Sequence, residues 1–409
     1  MDISIIYVYL AIVFGFFMAF GIGANDVSNA MGTSVGSKAI TIKQAIIIAA
    51  IFEFAGAFLA GGEVTNTIGN GIIKKSFITE HSTIFTIGML SSLLSSAIWL
   101  VLASYFGLPV STTHTLIGAI LGFSILNLGF KSIKWFIIIK IFLSWVLSPI
   151  LGGLISYLIF ISIKINFYNK SLKYRLKLMP FYIFINFITI IIILLKTVTY
   201  ILSIYINLYN CFLLSALMSA VIAYASSFFL KEYFYINRRR YNNVENIFSI
   251  LMVSTSCGMA FAHGSNDVSN AIAPVLAIVN YNYYYNLNSA NMPVWVPLLG
   301  ATGILLGLIT YGKNVISTIG NNITNLNPSR GFSVTLSATI TVILSSALGL
   351  PVSTTHTLIG SIIGVGIAKG IHSINVNVIR NIFISWLITI PAGAVLSIFI
   401  FKIIEYYVK

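Results

Sequence analysis

Charge is what this sequence has least of. Asp, Glu, Lys and Arg make up 8% of 409 residues and only nine of these are acidic, whereas soluble globular domains are usually about 25% charged. Hydrophobic residues reach 58% and the mean hydropathy is +0.96, which excludes a soluble globule and leaves an integral membrane protein. Cysteine is nearly absent as well. Cys211 and Cys257 lie in apolar stretches with no metal-ligand or redox spacing, so a disulfide frame and a zinc site are both unexpected and no metal ligand is assigned. No HExxH occurs, and no catalytic residue is expected. The first apolar run has no basic leader or small-residue cleavage site and passes directly into a polar motif, so it reads as a retained helix. The net charge of +14 is spread over short connections between apolar runs, which is a topology signal and not a nucleic-acid surface.

Crossing a hydrocarbon core of about 30 Å takes roughly 20 helical residues. Runs of that kind recur near 3–24, 44–62, 83–104, 108–129, 135–163, 179–208, 211–230, 247–265, 294–311, 332–349, 351–368 and 377–403. They are continuous, not alternating, so the fold expected is all-α and polytopic with about twelve spans, not a barrel. Lysine and arginine set the orientation. An outside N-terminus places Lys164, Lys170, Lys173, Arg175, Lys177, Lys231 and the Arg238–Arg240 triplet in the cytoplasm, with Lys74, Lys75, Lys131, Lys134 and the C-terminal lysines outside.

The chain repeats itself. GANDVSNA at 23–30 returns as GSNDVSNA at 264–271, and GLPVSTTHTLIGAILG at 107–122 as GLPVSTTHTLIGSIIG at 349–364. A weaker match joins GGEVTNTIGNGI (61–72) to GKNVISTIGNNI (312–323), in the same order. This divides the chain into a repeat over 1–130, central helices with a basic cytoplasmic loop over 131–245, and a second repeat over 246–409. Seven crossings separate the two starts, and an odd number inverts the second copy. Inverted repeats place substrate and ion sites near the midplane, between broken or re-entrant helices. The segments after each NDVSN, 27–37 and 268–279, are too short or too polar for spans, and read as re-entrant pieces or continuations of a broken helix.

An ionisable residue inside a span costs at least about 2.5 kcal/mol and is a functional candidate by default. Asp26 and Asp267 occupy equivalent places in the two halves, and Glu53 sits within AIFEFAGAF. Glu63, near the end of that run, reads equally well as an interfacial acid. In each PVSTTHT the proline discourages helix before it, so breaks are expected at Gly107–Pro109 and Gly349–Pro351. A new helix then starts with Ser111 or Ser353 as N-cap, followed by Thr112 and Thr113, or Thr354 and Thr355. Free N–H groups and a partial positive charge make a helix N-terminus an anion site. Two such starts would clasp a tetrahedral oxyanion without lysine or arginine. Asn25 and Asn266 supply further amide groups. His114 and His356 read as proton-linked donors or as histidines packed behind the hydroxyls. In each STTH the Ser and His are three apart at one helical start, unlike a hydrolase triad.

GANDVSNAMGTSVGS, IFEFAGAFLAGGEVTNTI, GLPVSTTHTLIG, HGSNDVSNAIAP and NPSRGF together resemble the inorganic phosphate transporter (PiT) family, over roughly 10–130 and 245–400. The resemblance implies a secondary transporter, without a cofactor, that imports inorganic phosphate coupled to a cation. It implies phosphate and cation sites at Asn25, Asp26, Ser111, Thr112, Thr113, Asn266, Asp267, Ser353, Thr354 and Thr355, with Glu53 matching an important family acid. Bacterial relatives of this length resemble proton-driven carriers in the cytoplasmic membrane, often moving phosphate as a neutral complex with a divalent metal; other branches use Na⁺. Inorganic phosphate and membrane lipid are the expected partners, and a homodimer is left open. Two alternatives stand beside this reading: a permease for sulfate or another tetrahedral oxyanion, and a passive anion channel. A channel predicts basic rings, yet Lys38 is the one basic residue near either motif pair.

Overall fold

The computed structural model describes residues 3–106, 110–201, 206–237, 243–281, 292–312, 326–370 and 376–408. The expected break at Gly107–Pro109, the second copy of the third repeat beyond Gly312, and the Arg238–Arg240 triplet lie outside them.

The first half holds α1 (Ile3–Asn25), α2 (Val27–Gly36), α3 (Ile42–Ala60), α4 (Gly62–Gly71), α5 (Lys75–Glu80), α6 (Ser82–Tyr105), α7 (Thr112–Leu128) and α8 (Trp135–Phe167). The central pair α9 (Leu172–Ile201) and α10 (Leu208–Ile236) pack on each other. The second half holds α11 (Val244–Val279), α12 (Trp295–Gly307) with a π-helical turn to Gly312, α13 (Pro328–Ala347), α14 (Thr354–Lys369) and α15 (Val376–Val408). Among the described residues the one β-interaction is an isolated bridge, Ile73 to Ile133.

Local signals account for several boundaries. Thr41 and Gln44 form a capping box at the start of α3, in which each side chain satisfies the other's backbone N–H. Pro328 occupies the first turn of α13, where its missing N–H costs nothing. Glu245, in the first turn of α11, reaches across to cap α13: Ser329 N donates to its Oε2 (2.9 Å) and Tyr168 OH to its Oε1 (2.6 Å). Burial and that carboxylate push the Tyr168 phenol up to about 12, so it remains a donor.

Nine helical stretches among the described residues are long and apolar enough to span, including Ile5–Gly36 as one unit. Three expected spans fall short for physical reasons. α7 and α14 have 17 and 16 residues, about 25 Å at 1.5 Å per residue, because each begins at a break inside the bundle. α13 carries Ser329, Ser333, Thr335, Ser337, Thr339 and Thr341 along its length, all buried against protein. The NDVSN segments also resolve into continuations of the preceding helix. The first chain turns at Asp26 and resumes as α2, while α11 runs unbroken through the second copy.

Helix packing is reciprocal between the halves. α1 packs on α12 and α6, and correspondingly α11 packs on α3 and α13. α7 packs on α15, and α14 on α8. Both crossed pairs depend on glycine. A Cβ at Gly118 would strike the Ile390 carbonyl, and one at Gly360 the Pro149 carbonyl. Such close approach is how helices associate where lipid offers no hydrophobic drive.

Candidate functional site

The two STTHT segments build one structure twice. Ser111 and Ser353 are extended N-caps whose hydroxyl oxygens accept from His114 N (3.3 Å) and His356 N (3.2 Å). Thr115 and Thr357 bond back to the carbonyls of Ser111 and Ser353, each at 2.9 Å. The two starts meet head to head. Thr113 donates to the Val352 carbonyl (3.1 Å) and Thr355 to the Val110 carbonyl (3.4 Å). Two positive helix ends therefore face one another with no basic side chain in these contacts, a geometry suited to an anion.

The NDVSN segments reach across to these starts, each to the opposite half. Asn29 donates to Thr355 Oγ1 (2.8 Å) and more weakly to Asp26 Oδ1 (3.3 Å). Asn270 donates to Thr112 and Thr113 at 3.2 Å each. Thr354 donates to Asp267 Oδ2 (2.9 Å), and Thr112 lies beside Asp26. The helices explain the register. Asp26 and Asn29, or Asp267 and Asn270, are three apart and share one helix face.

Three acids gather behind this cradle. Asp26 and Glu53 are each 1% exposed and Asp267 is 0%. His263, also fully buried, lies 3.2 Å from Glu53 Oε1 through Nδ1 and 2.8 Å from Asp267 Oδ2 through Nε2. These are close but poorly aligned contacts, so they count as charge pairing more than as hydrogen bonds. Removing the imidazole would leave two buried carboxylates facing each other, the expensive situation for a low-dielectric interior.

Other expected residues take different places. Asn25 is bonded to Ser104 (2.7 Å) near the end of α6, and Asn266 to Ser346 (2.9 Å) near the end of α13. The Asn266 amide orientation that satisfies both its ends accepts from Ser346 and donates to Asp267 Oδ1 and Val352 O, both at 3.1 Å. Asn25 thus ties its motif to α6, and Asn266 ties its own to α13 and to the second helix start. His114 and His356 touch edge to face, with ring centroids 4.3 Å apart, and Trp145 covers His114 at 3.8 Å. Both histidines border an apolar cavity of about 680 Å³ among α8, α14 and α15.

Sequence reasoning passed over Asn29, Asn270 and His263. The signal was available: each lies three or four residues from an aspartate already singled out, on the same helical face. A GxSxG string at Gly32–Gly36 lies inside α2 with Ser34 bonded to Ser256, not at the strand-to-helix turn a hydrolase needs.

The family model described as "Phosphate transporter family" matches residues 22–397 of this chain. The chain belongs to the phosphate transporter family. Among proteins similar to this transporter, one of Haemophilus influenzae bearing the name phosphate permease is 45% identical over 405 residues, covering 97% of this chain and 96% of its own. One of Pyrococcus furiosus with the same kind of name is 41% identical over 398 residues, covering 96% and 95%. A solved structure described as "The sodium-dependent phosphate transporter" superposes with a TM-score of 0.88 at 38% identity, covering 98% of this chain and 99% of that one. Membership in this family makes the membrane-spanning bundle that of a phosphate transporter, and the repeated motifs lie within the matched range.

Proposed function

We propose that this member of the family imports inorganic phosphate by symport with a cation, the anion held at the paired STT helix starts and the cation neutralised by Asp26, Asp267 and Glu53. The observation that carries the reading is the crossed bonding of Asn29 to Thr355 and of Asn270 to Thr112 and Thr113. Each half's acid segment is tied to the other half's anion-facing hydroxyls, so loading one site acts on both repeats. Rocking of inverted repeats about such a midplane site is the general mode of secondary transport. Two coupling ions have support. Chain length and the short central connection favour a proton, with phosphate carried as a neutral divalent-metal complex; similarity to a solved transporter described as sodium-dependent favours Na⁺.

The repeats proposed are 1–130 and 246–409, in a bacterial cytoplasmic membrane with both termini outside, in a chain that also accommodates a homodimer. In proteoliposomes, uptake of labelled phosphate should rise under an inward proton or Na⁺ gradient and vanish in Asp267→Asn. Replacing Na⁺ with choline at fixed pH separates the two ions. Gradient-independent uptake by the wild type, or coupled uptake by Asp267→Asn equal to wild type, overturns the mechanism.

A further inference from the structure

The apolar cavity bordered by His114 and His356 has no part in holding the anion or the cation. It is a groove open to the membrane. Phe142, Val146, Ile150 and Leu154 of α8 and Leu387 of α15 line it and are 39–76% exposed, so its mouth faces hydrocarbon. Its inner wall is His114, Trp145 and His356, each only 3–4% exposed. At Gly153, Gly360 and Gly364, which also line it, no side chain fills the space.

Helix packing gives the groove a direction and a length. α8 and α14 run parallel where they touch, Gly360 meeting Pro149 and Gly364 meeting Gly153. From His356 to Ile367, both lining residues, α14 rises about 16 Å. Half of a hydrocarbon core is about 15 Å thick. Because α14 begins at a break inside the bundle, the groove spans one leaflet, the cytoplasmic one in the orientation proposed above.

Its width decides what fits. A helix about 10 Å across occupies roughly 1,250 Å³ over that length, more than the 680 Å³ present. An acyl chain is narrow enough. Water has no polar walls to bond to there, and an empty void forfeits dispersion contacts on every side.

The charge at the open end is positive. One heptad beyond Tyr157 on α8 stands Lys164, and one heptad beyond Leu387 on α15, toward the end of α14, stands Arg380. Each shares the face of its groove residue. Both are exposed, and among the described residues neither is paired with an acid. Lys and Arg at that depth attract anionic headgroups.

We propose that an anionic phospholipid seats one acyl chain in the groove between α8, α14 and α15, with its headgroup at Lys164 and Arg380. The end of the chain rests against Trp145. Trp145 Nε1 and Ser144 Oγ both donate to the Pro351 carbonyl, at 3.2 and 3.4 Å, so the lipid lies against the residues that hold the turn into Ser353.

Two measurements test this. Wild type and Trp145→Phe are reconstituted in phosphatidylcholine vesicles holding a minority of phosphatidylglycerol, with bromine near the chain ends of one lipid or the other. The emission that Trp145 contributes should be quenched by brominated phosphatidylglycerol more strongly than by brominated phosphatidylcholine at equal mole fraction. Lys164→Gln with Arg380→Gln should cut that preference at least about fivefold. In the second, lipid retained by the washed, detergent-purified chain is counted by mass spectrometry. Wild type should keep about one phosphatidylglycerol per chain, and Ile150→Trp with Ile363→Trp, which fills the groove from its lipid-facing side, should lose it. Quenching of Trp145 that does not depend on the headgroup overturns the proposal, as does lipid retention unchanged in the filled variant. Disulfide crosslinking of Leu154→Cys between two copies, without quenching, would show a second chain over the groove and overturns it equally. None of these readouts uses phosphate uptake, so a failure here leaves the transport reading standing, and the reverse holds.

Discussion

Asn29 and Asn270 are single residues that join two halves of the molecule, and their loss should be felt at the substrate. Each holds one or two threonine hydroxyls in place, and a buried hydrogen bond to a neutral group contributes roughly 1 kcal/mol net. Asn29→Ala and Asn270→Ala are each expected to raise the KM for phosphate about tenfold, with the double variant departing from additivity because both act on one cradle. Uptake kinetics check this. His263 makes a different kind of contribution. His263→Leu leaves Glu53 and Asp267 buried without their shared imidazole, and breaking a buried charge pairing typically costs about 3–5 kcal/mol. Its thermal unfolding temperature in detergent should fall sharply. Pairing the change with Glu53→Leu should recover much of the loss, since alignment of the repeated motifs puts Ile22 at the place of His263 and Ile304 at that of Glu53.

At the scale of elements, the half-length helices α7 and α14 depend on their starts and on their partners. Ser353→Ala removes a cap that satisfies His356 N, and such losses cost about 1 kcal/mol. Phosphate uptake should fall further than stability does, because the same turn presents Thr354 and Thr355. Along their length both helices are held by close backbone approach. Gly118→Leu or Gly360→Leu drives a side chain into the carbonyl of Ile390 or Pro149. Overpacking of this kind costs about 1–3 kcal/mol even where neighbours can yield, and backbone yields least. Little monodisperse protein is expected from either variant on size-exclusion chromatography. The α11 and α13 starts are coupled through Glu245, whose removal leaves Ser329 N and Tyr168 OH without that acceptor.

For the whole molecule, the head-to-head helix starts have a topological consequence. α7 leads away from the meeting point toward Lys131 and α14 toward Lys369, both exposed. In inverted repeats these lysines belong to opposite membrane faces. Lys131→Cys should react with an impermeant thiol reagent from outside intact cells, and Lys369→Cys only after the membrane is opened. Labelling of both from one side would show parallel repeats.

Much of this was legible in the chain. Scarcity of charge and long apolar runs determined a helical membrane protein, because nothing else satisfies its backbone in lipid. Duplicate motifs determined that Asp26 has a counterpart in Asp267, and that Ser111 and Ser353 begin helices after a proline. What linear order cannot carry is which half touches which. Only the tertiary structure decided that Asn29 meets Thr355 and Asn270 meets Thr112 and Thr113, that Asn25 bonds to Ser104 and Asn266 to Ser346, and that His263 stands between Glu53 and Asp267. These contacts span up to 326 positions, and they arise from glycine-paved helix surfaces that let the halves interlock. Duplication supplied two like motifs; packing made them a single site.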